Sequence, residues 1–232
     1  MLKGKGGNKR VYERDAEKKG AISASMSIDI SVQQYLDELA SVQPTPGGGS
    51  AAALSGAMGA ALASMVARLT LGKANYADVQ PEIEELLQGT EKLRARFVQL
   101  MQEDIGAYGK LSASFKLPRN APDEVDARNK IVQKQLLEAA LVPLETTECA
   151  FQLALRCYRI AEIGNINVLS DIAAGAMLAS SAGAGAAWVV RTNLRAMKDR
   201  ELVNRLSNRL NTALDGLTEC NQQITNIVGS RV

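Results

Sequence analysis

Four groups of residues in this sequence have types and spacings suited to chemistry. The first is Gly47-Gly48-Gly49-Ser50, directly ahead of a helical pattern. Such a run presents unpaired backbone N–H groups at the positive end of a helix dipole, where a carboxylate or phosphate can bind. A tight helix-entry turn without a ligand is the plainer reading. Gly47, Gly49 and Ala52 also fit a dinucleotide fingerprint, but a helix and Pro44-Thr45-Pro46 precede them where that motif needs a strand. The second group is Glu103-Asp104. Asp104 stands four residues from both Leu100 and Tyr108, on the face that turns inward. A carboxylate there is either paired or functional, because burying it alone is costly. The third group is Asn165, Asn167, Ser170 and Asp171 at the entry to an alanine-rich helix, where Ser170 or Asp171 can also act simply as a cap. The fourth is Arg68, Lys73, Arg191 and Arg195, cations at the ends or edges of small-residue helices, with solvated positions as the alternative.

Composition limits what these groups can do. The 232 residues contain no histidine, which removes Ser-His-Asp and Cys-His systems, His-ligated metals and imidazole acid–base catalysis. Proton transfer falls to Asp, Glu, Lys, Tyr or Cys. Cys149, Cys157 and Cys220 form no CxxC pair and leave an odd count, which favours a reducing cytoplasm over a disulfide framework. No metal site is expected. The formal charge of +2 conceals an uneven distribution: seven Lys or Arg and three acids fall in the first 27 residues, leaving 20 basic and 22 acidic groups beyond them. Residues 1–25 read as a disordered basic extension without a secretory apolar run, and residues 26–232 as one domain. A mildly acidic body gives no case for a nucleic-acid partner.

The elements that must hold these groups are helices throughout. Ser31 can cap a short helix to about Ala40, after which two prolines and three glycines break the chain. From Ser50 to about Leu71, Ser55, Gly59 and Ala63 fall four apart, as do Gly56, Ala60 and Ser64, so neighbouring backbones can approach closely. Pro81 opens a long amphipathic helix to Phe115. A second long helix, capped by Asp123, carries an expected kink at Pro143. Gly164 to Asn167 is the next break, a small-residue helix follows to about Arg195, and a last amphipathic one runs from Asp199 to about Val228. No period-two alternation is sustained, so the expected fold is all-α: a single-domain bundle of six or more helices. The two charge-poor helices, at 47–67 and 172–190, are Ala-, Gly- and Ser-rich and read as internal helices, with no membrane expected.

Read together, these segments carry a resemblance. The run PTPGGGSAAALSGAMGAAL from Pro44 to Leu62, then Asp104-Ile105-Gly106-Ala107-Tyr108, Lys116 to Glu124, Val142-Pro143-Leu144, Gly164-Asn165 with Ser170-Asp171, and Asn193-Leu194-Arg195 occur in order. The sequence resembles the formiminotetrahydrofolate cyclodeaminase / methenyltetrahydrofolate cyclohydrolase family, and most closely its stand-alone bacterial cyclohydrolases. One position departs: Val189 stands where the family commonly has asparagine.

The resemblance implies an all-helical homodimer acting on a tetrahydrofolate derivative, with no cofactor beyond that substrate. It implies that Asp104 is the general base and Asp171 a second acid. Gly47, Gly48, Gly49, Ser50, Arg68, Lys73, Asn165, Ser170, Asn193 and Arg195 then become candidates for binding the folate. Hydrolysis of 5,10-methenyltetrahydrofolate to 10-formyltetrahydrofolate is the expected reaction. The alternatives are cyclodeamination of formiminotetrahydrofolate and a non-catalytic helical module that retains the fold.

Overall fold

Ser31 begins the first helix as its residue type predicts. Its hydroxyl oxygen accepts a hydrogen bond from the Gln34 N–H at 3.1 Å, and α1 (Val32–Leu39) follows. A computed structural model describes residues 30–231, so the basic extension expected at 1–25 lies outside the described residues. The chain divides between Ser41 and Val42 into two units, the described part of the first being residues 30–41 with α1. The second unit contains α2 (Gly48–Thr70), α3 (Gln80–Phe115), α4 (Pro122–Ile163), α5 (Leu169–Ala196) and α6 (Arg200–Arg231), with 3₁₀ turns at Ala74–Val79 and Ile166–Val168. No strand occurs among the described residues.

The small residues of α2 and α5 let the two helices cross almost backbone to backbone. A Cβ added to Gly59 would lie 2.7 Å from the Gly175 carbonyl oxygen, and one added to Gly175 would lie 3.1 Å from that of Gly59. Nearby, the Ser55 hydroxyl donates to the Leu178 carbonyl at 3.0 Å, and Gly185 packs on Ala52. The two helices therefore run antiparallel within one chain. By length and apolarity α2 and the segment Ile166–Ala196 could each span a membrane, yet 61% and 44% of their apolar windows are buried inside the bundle.

On its other side α2 packs against α3, where Gly56 accommodates the buried Phe97 ring and the Ser64 and Thr90 hydroxyls hydrogen-bond at 2.8 Å. The α4 helix closes the bundle. Leu136 and Leu144 join Leu111, Val190 and Leu210 from α3, α5 and α6 in one apolar cluster.

One helix signal acts differently from expectation. Pro122, not Asp123, sets the start of α4: Ala121 is the cap residue and Pro122 occupies the first turn, where its missing N–H costs nothing. As expected, α4 runs on through Pro143, 42 residues in all. Because proline has no N–H, the Ala139 carbonyl loses its helical donor, and the Asn193 side-chain amide on α5 supplies one at 2.8 Å. The Thr147 hydroxyl lies 3.1 Å from the Pro143 carbonyl and 3.2 Å from that of Gly183, tying the same stretch to α5.

Candidate active site

The glycine run and Asp104 meet. In α2 the first-turn residue Gly49 faces the Asp104 carboxylate of α3 so closely that a Cβ there would lie 2.5 Å from Cγ and 2.7 Å from Oδ2, and nearer still to Oδ1. The Ser50 backbone N–H, one of the unpaired donors of the helix start, donates to that carboxylate. The anion held at this N-terminus is thus one of the protein's own side chains. Burial pushes the Asp104 carboxyl up from 3.8 to about 6, while the Ser50 N–H pulls the other way. An acid with that value is largely ionised at neutral pH and binds a proton more readily than an exposed aspartate. Nothing lies within 4 Å of where a Cβ on Gly48, the neighbour of Gly49, would sit, and Tyr108, one turn beyond Asp104 on the same face of α3, is 40% exposed.

Glu103, the neighbouring acid, is occupied. Arg96 holds Glu103 through Nη1 and Nη2 at 2.6 and 3.0 Å, and Glu145 of α4 through Nε and Nη2 at 2.6 and 2.8 Å. This doubly bidentate clamp fixes α3 to α4 and leaves Asp104 as the carboxylate free to work. Beside it, Glu103, Lys110, Glu138 and Glu145 rim an open groove of about 420 Å³.

The remaining predicted residues divide between the two ends of α2. Near the Asp104 end, the Asn193 side-chain amide donates to the Ala139 carbonyl, which gives it a structural role in helix α4. Arg195 is exposed in the last turn of α5. At the far end, Asn165 is 1% exposed and fully engaged. Its backbone N–H donates to Thr70 Oγ1 at 3.0 Å, its amide donates to the Leu69 carbonyl at 2.9 Å, and its Oδ1 accepts from the Asn167 N–H at 3.1 Å. Asn165 therefore closes the C-terminus of α2 and caps the turn Ile166–Val168. Arg68 pairs with Glu91 at 3.3 Å, and Lys73 is exposed just beyond α2.

Ser170 is exposed and caps nothing; Val168 holds the cap position of α5. Asp171 is half-buried in the first turn of α5, and no hydrogen bond or ion pair reaches its carboxylate among the described residues. It does not join Asp104. Gly175 meets Gly59, so Asp171 lies one turn further from Gly49 again, and at about 1.5 Å per residue the two acids are on the order of 20 Å apart.

Sequence reasoning did not foresee the Arg96 clamp, the Gly49–Asp104 contact or the pairing of Trp188 with Arg191, whose guanidinium carbon sits 5.1 Å from the indole centroid. The thiols are poor nucleophiles: burial pushes Cys149 up to about 11 and Cys157 up to about 12. Among the described residues, Asp104 is the carboxylate that joins partial burial to a raised affinity for protons.

Known proteins share this arrangement of helices. A family model described as formiminotransferase-cyclodeaminase matches residues 31–212. A methenyltetrahydrofolate cyclohydrolase of Methylorubrum extorquens is 35% identical over 202 residues, covering 87% of this chain and 97% of that protein. The formimidoyltransferase-cyclodeaminase of Rattus norvegicus is 31% identical over 203 residues, which are 88% of this chain and 37% of the longer rat protein. The crystal structure of formiminotetrahydrofolate cyclodeaminase from Thermotoga maritima superposes with a TM-score of 0.80 at 29% identity, covering 87% of this chain and 97% of that one. With the family model spanning most of the chain and the fold reproduced along it, this protein belongs to the formiminotransferase-cyclodeaminase family.

Proposed function

We propose that the protein is a methenyltetrahydrofolate cyclohydrolase. The observation that carries this reading is Asp104, a half-buried carboxylate held by a helix N-terminus in a protein without histidine. The substrate is a cation whose methenyl carbon, between N5 and N10, is already electrophilic. It needs a positioned water and a proton acceptor, and an ionised aspartate also favours the positive charge. Water bonds to the methenyl carbon as one of its protons passes to Asp104. The C–N5 bond then breaks while the new hydroxyl becomes the formyl carbonyl, its proton ends on N5, and Asp104 releases its own proton to solvent. Neither cofactor nor metal is called for. The 35% identity to the Methylorubrum extorquens enzyme over nearly its whole length supports hydrolysis. Cyclodeamination is the second reading, favoured by the likeness to the Thermotoga maritima protein.

One spectrophotometric experiment separates them. Loss of the near-ultraviolet absorbance of methenyltetrahydrofolate reports hydrolysis, and its appearance from formiminotetrahydrofolate reports deamination. Rates no faster than buffer in both directions would overturn the enzymatic reading altogether.

We further infer a homodimer. The outer faces of α2 and α5 leave Met58 47%, Leu69 40% and Met177 48% exposed on the two most apolar helices, a surface suited to a second copy. A partner seated there with its helices reversed brings the Asp171 end of one chain to the Asp104 end of the other. Asp171, with Arg68 and Lys73, then serves the site from across the interface, which gives the unpaired Asp171 carboxylate a role that a single chain does not.

A further inference from the structure

Trp188 is the sole tryptophan of the chain and is 68% exposed on a helix rich in small residues. Gly185 packs against Ala52, so one turn further along α5 Trp188 comes level with Gly48, at the same end of the bundle as Asp104. Arg191 lies over one face of the indole, which leaves the other face open, and Arg195 follows one turn later along the same exposed stripe. The order along the helix is thus aromatic platform, cation, cation.

We propose that Trp188 and Arg191 form a specificity subsite for an aromatic ring that carries carboxylates, the benzoyl-glutamate portion of a folate: the ring stacks on the indole and a carboxylate pairs with Arg191. This rests on the cyclohydrolase reading and adds the residues that hold the non-reacting part of the substrate. A benzoyl ring linked by one amide to a glutamate has the same order of groups as Trp188, Arg191 and Arg195. The Arg191 guanidinium is already ordered by the indole, so little freedom is lost when the ligand binds. Aromatic stacking of this kind has a worth of about 0.5–1.5 kcal/mol beyond buried area, or up to about tenfold in affinity.

Because Trp188 is the only tryptophan, it reports on its own subsite. Titration with p-aminobenzoylglutamate, corrected against free tryptophan, is expected to quench the emission saturably, and Arg191→Ala to weaken that quenching. In the hydrolysis assay Trp188→Ala is expected to raise KM about tenfold with kcat within about twofold, and Trp188→Phe to restore most of the loss. A structural role would not produce that split or that rescue. Absence of quenching, or an unchanged KM in Trp188→Ala, would each overturn the subsite. Quenching by the fragment in a protein that fails to hydrolyse methenyltetrahydrofolate would uphold the subsite while refuting the reaction.

Discussion

Gly49→Ala tests the reasoning about the site with a single methyl group. The new Cβ would stand 2.5 Å from Asp104 Cγ and 2.7 Å from Oδ2, where ordinary contact begins near 3.4 Å, so the carboxylate must retreat by about 1 Å. Gly49 lies in the first turn of α2, where alanine is a better helix former by up to about 1 kcal/mol, so the fold should survive the change. What suffers is the placement of the base and its bond from the Ser50 N–H, a charge-assisted contact of about 1.5–3 kcal/mol. A misplacement of this size lowers turnover on the order of 100-fold. The measurements are kcat from the loss of methenyl absorbance and thermal unfolding on the same preparation. The expected outcome is a kcat about two decades lower in a protein that still folds, with stability lower by about 0.5–3 kcal/mol. Gly109→Ala is the control: it lies in α3, exposed, with nothing within 4 Å of its missing Cβ, and should retain the wild-type rate. A Gly49→Ala protein with wild-type kcat would refute the idea that this glycine exists to admit the carboxylate.

Three further outcomes are expected. Asp104→Asn should unfold at a higher temperature than wild type near pH 7.5. A carboxyl whose folded pKa is raised from 3.8 to about 6 binds protons more tightly when folded, so stability falls as pH rises between those values, and the variant recovers up to about 3 kcal/mol that disappears below pH 4. Asn165→Ala, which leaves the Leu69 carbonyl without its donor and the Asn167 N–H without its acceptor, should cost about 3 kcal/mol in urea unfolding. Mixing inactive Asp104→Asn and Asp171→Asn chains under conditions of subunit exchange should restore about a quarter of wild-type activity, since half of the dimers are mixed and each of those holds one intact site. Continued inactivity of the mixture would refute a site shared between chains.

The order and boundaries of the helices were legible because apolar spacing, prolines and glycines are local signals. That some neighbouring backbone could come close to α2 was legible too, in the four-residue spacing of Ser55, Gly59 and Ala63; that the neighbour is α5 of the same chain was not. Spacing tells which face a residue occupies but not how far along a neighbouring helix it ends up. That is why Asp104 and Asp171 read as one site and stand at opposite ends of α2. Nor does local pattern register partners distant in sequence. Nothing local shows that the carbonyl freed by Pro143 takes a hydrogen bond from Asn193, or that the end of α2 takes one from Asn165. Glu103 and Asp104 looked alike as adjacent acids; Arg96, which pairs with Glu103 and with Glu145 on another helix, tells them apart.

The claim on which the proposed chemistry turns is that Asp104 accepts the proton. Its most direct test is the pH dependence of kcat/KM for methenyltetrahydrofolate hydrolysis, measured above the uncatalysed rate, in wild type and Asp104→Asn. A rise through one ionisation near pH 6 in the wild type, and a variant lower by several decades with no such inflection, is the expected result. A wild-type profile flat from pH 5 to 8, or an Asp104→Asn enzyme with the wild-type rate, would contradict it.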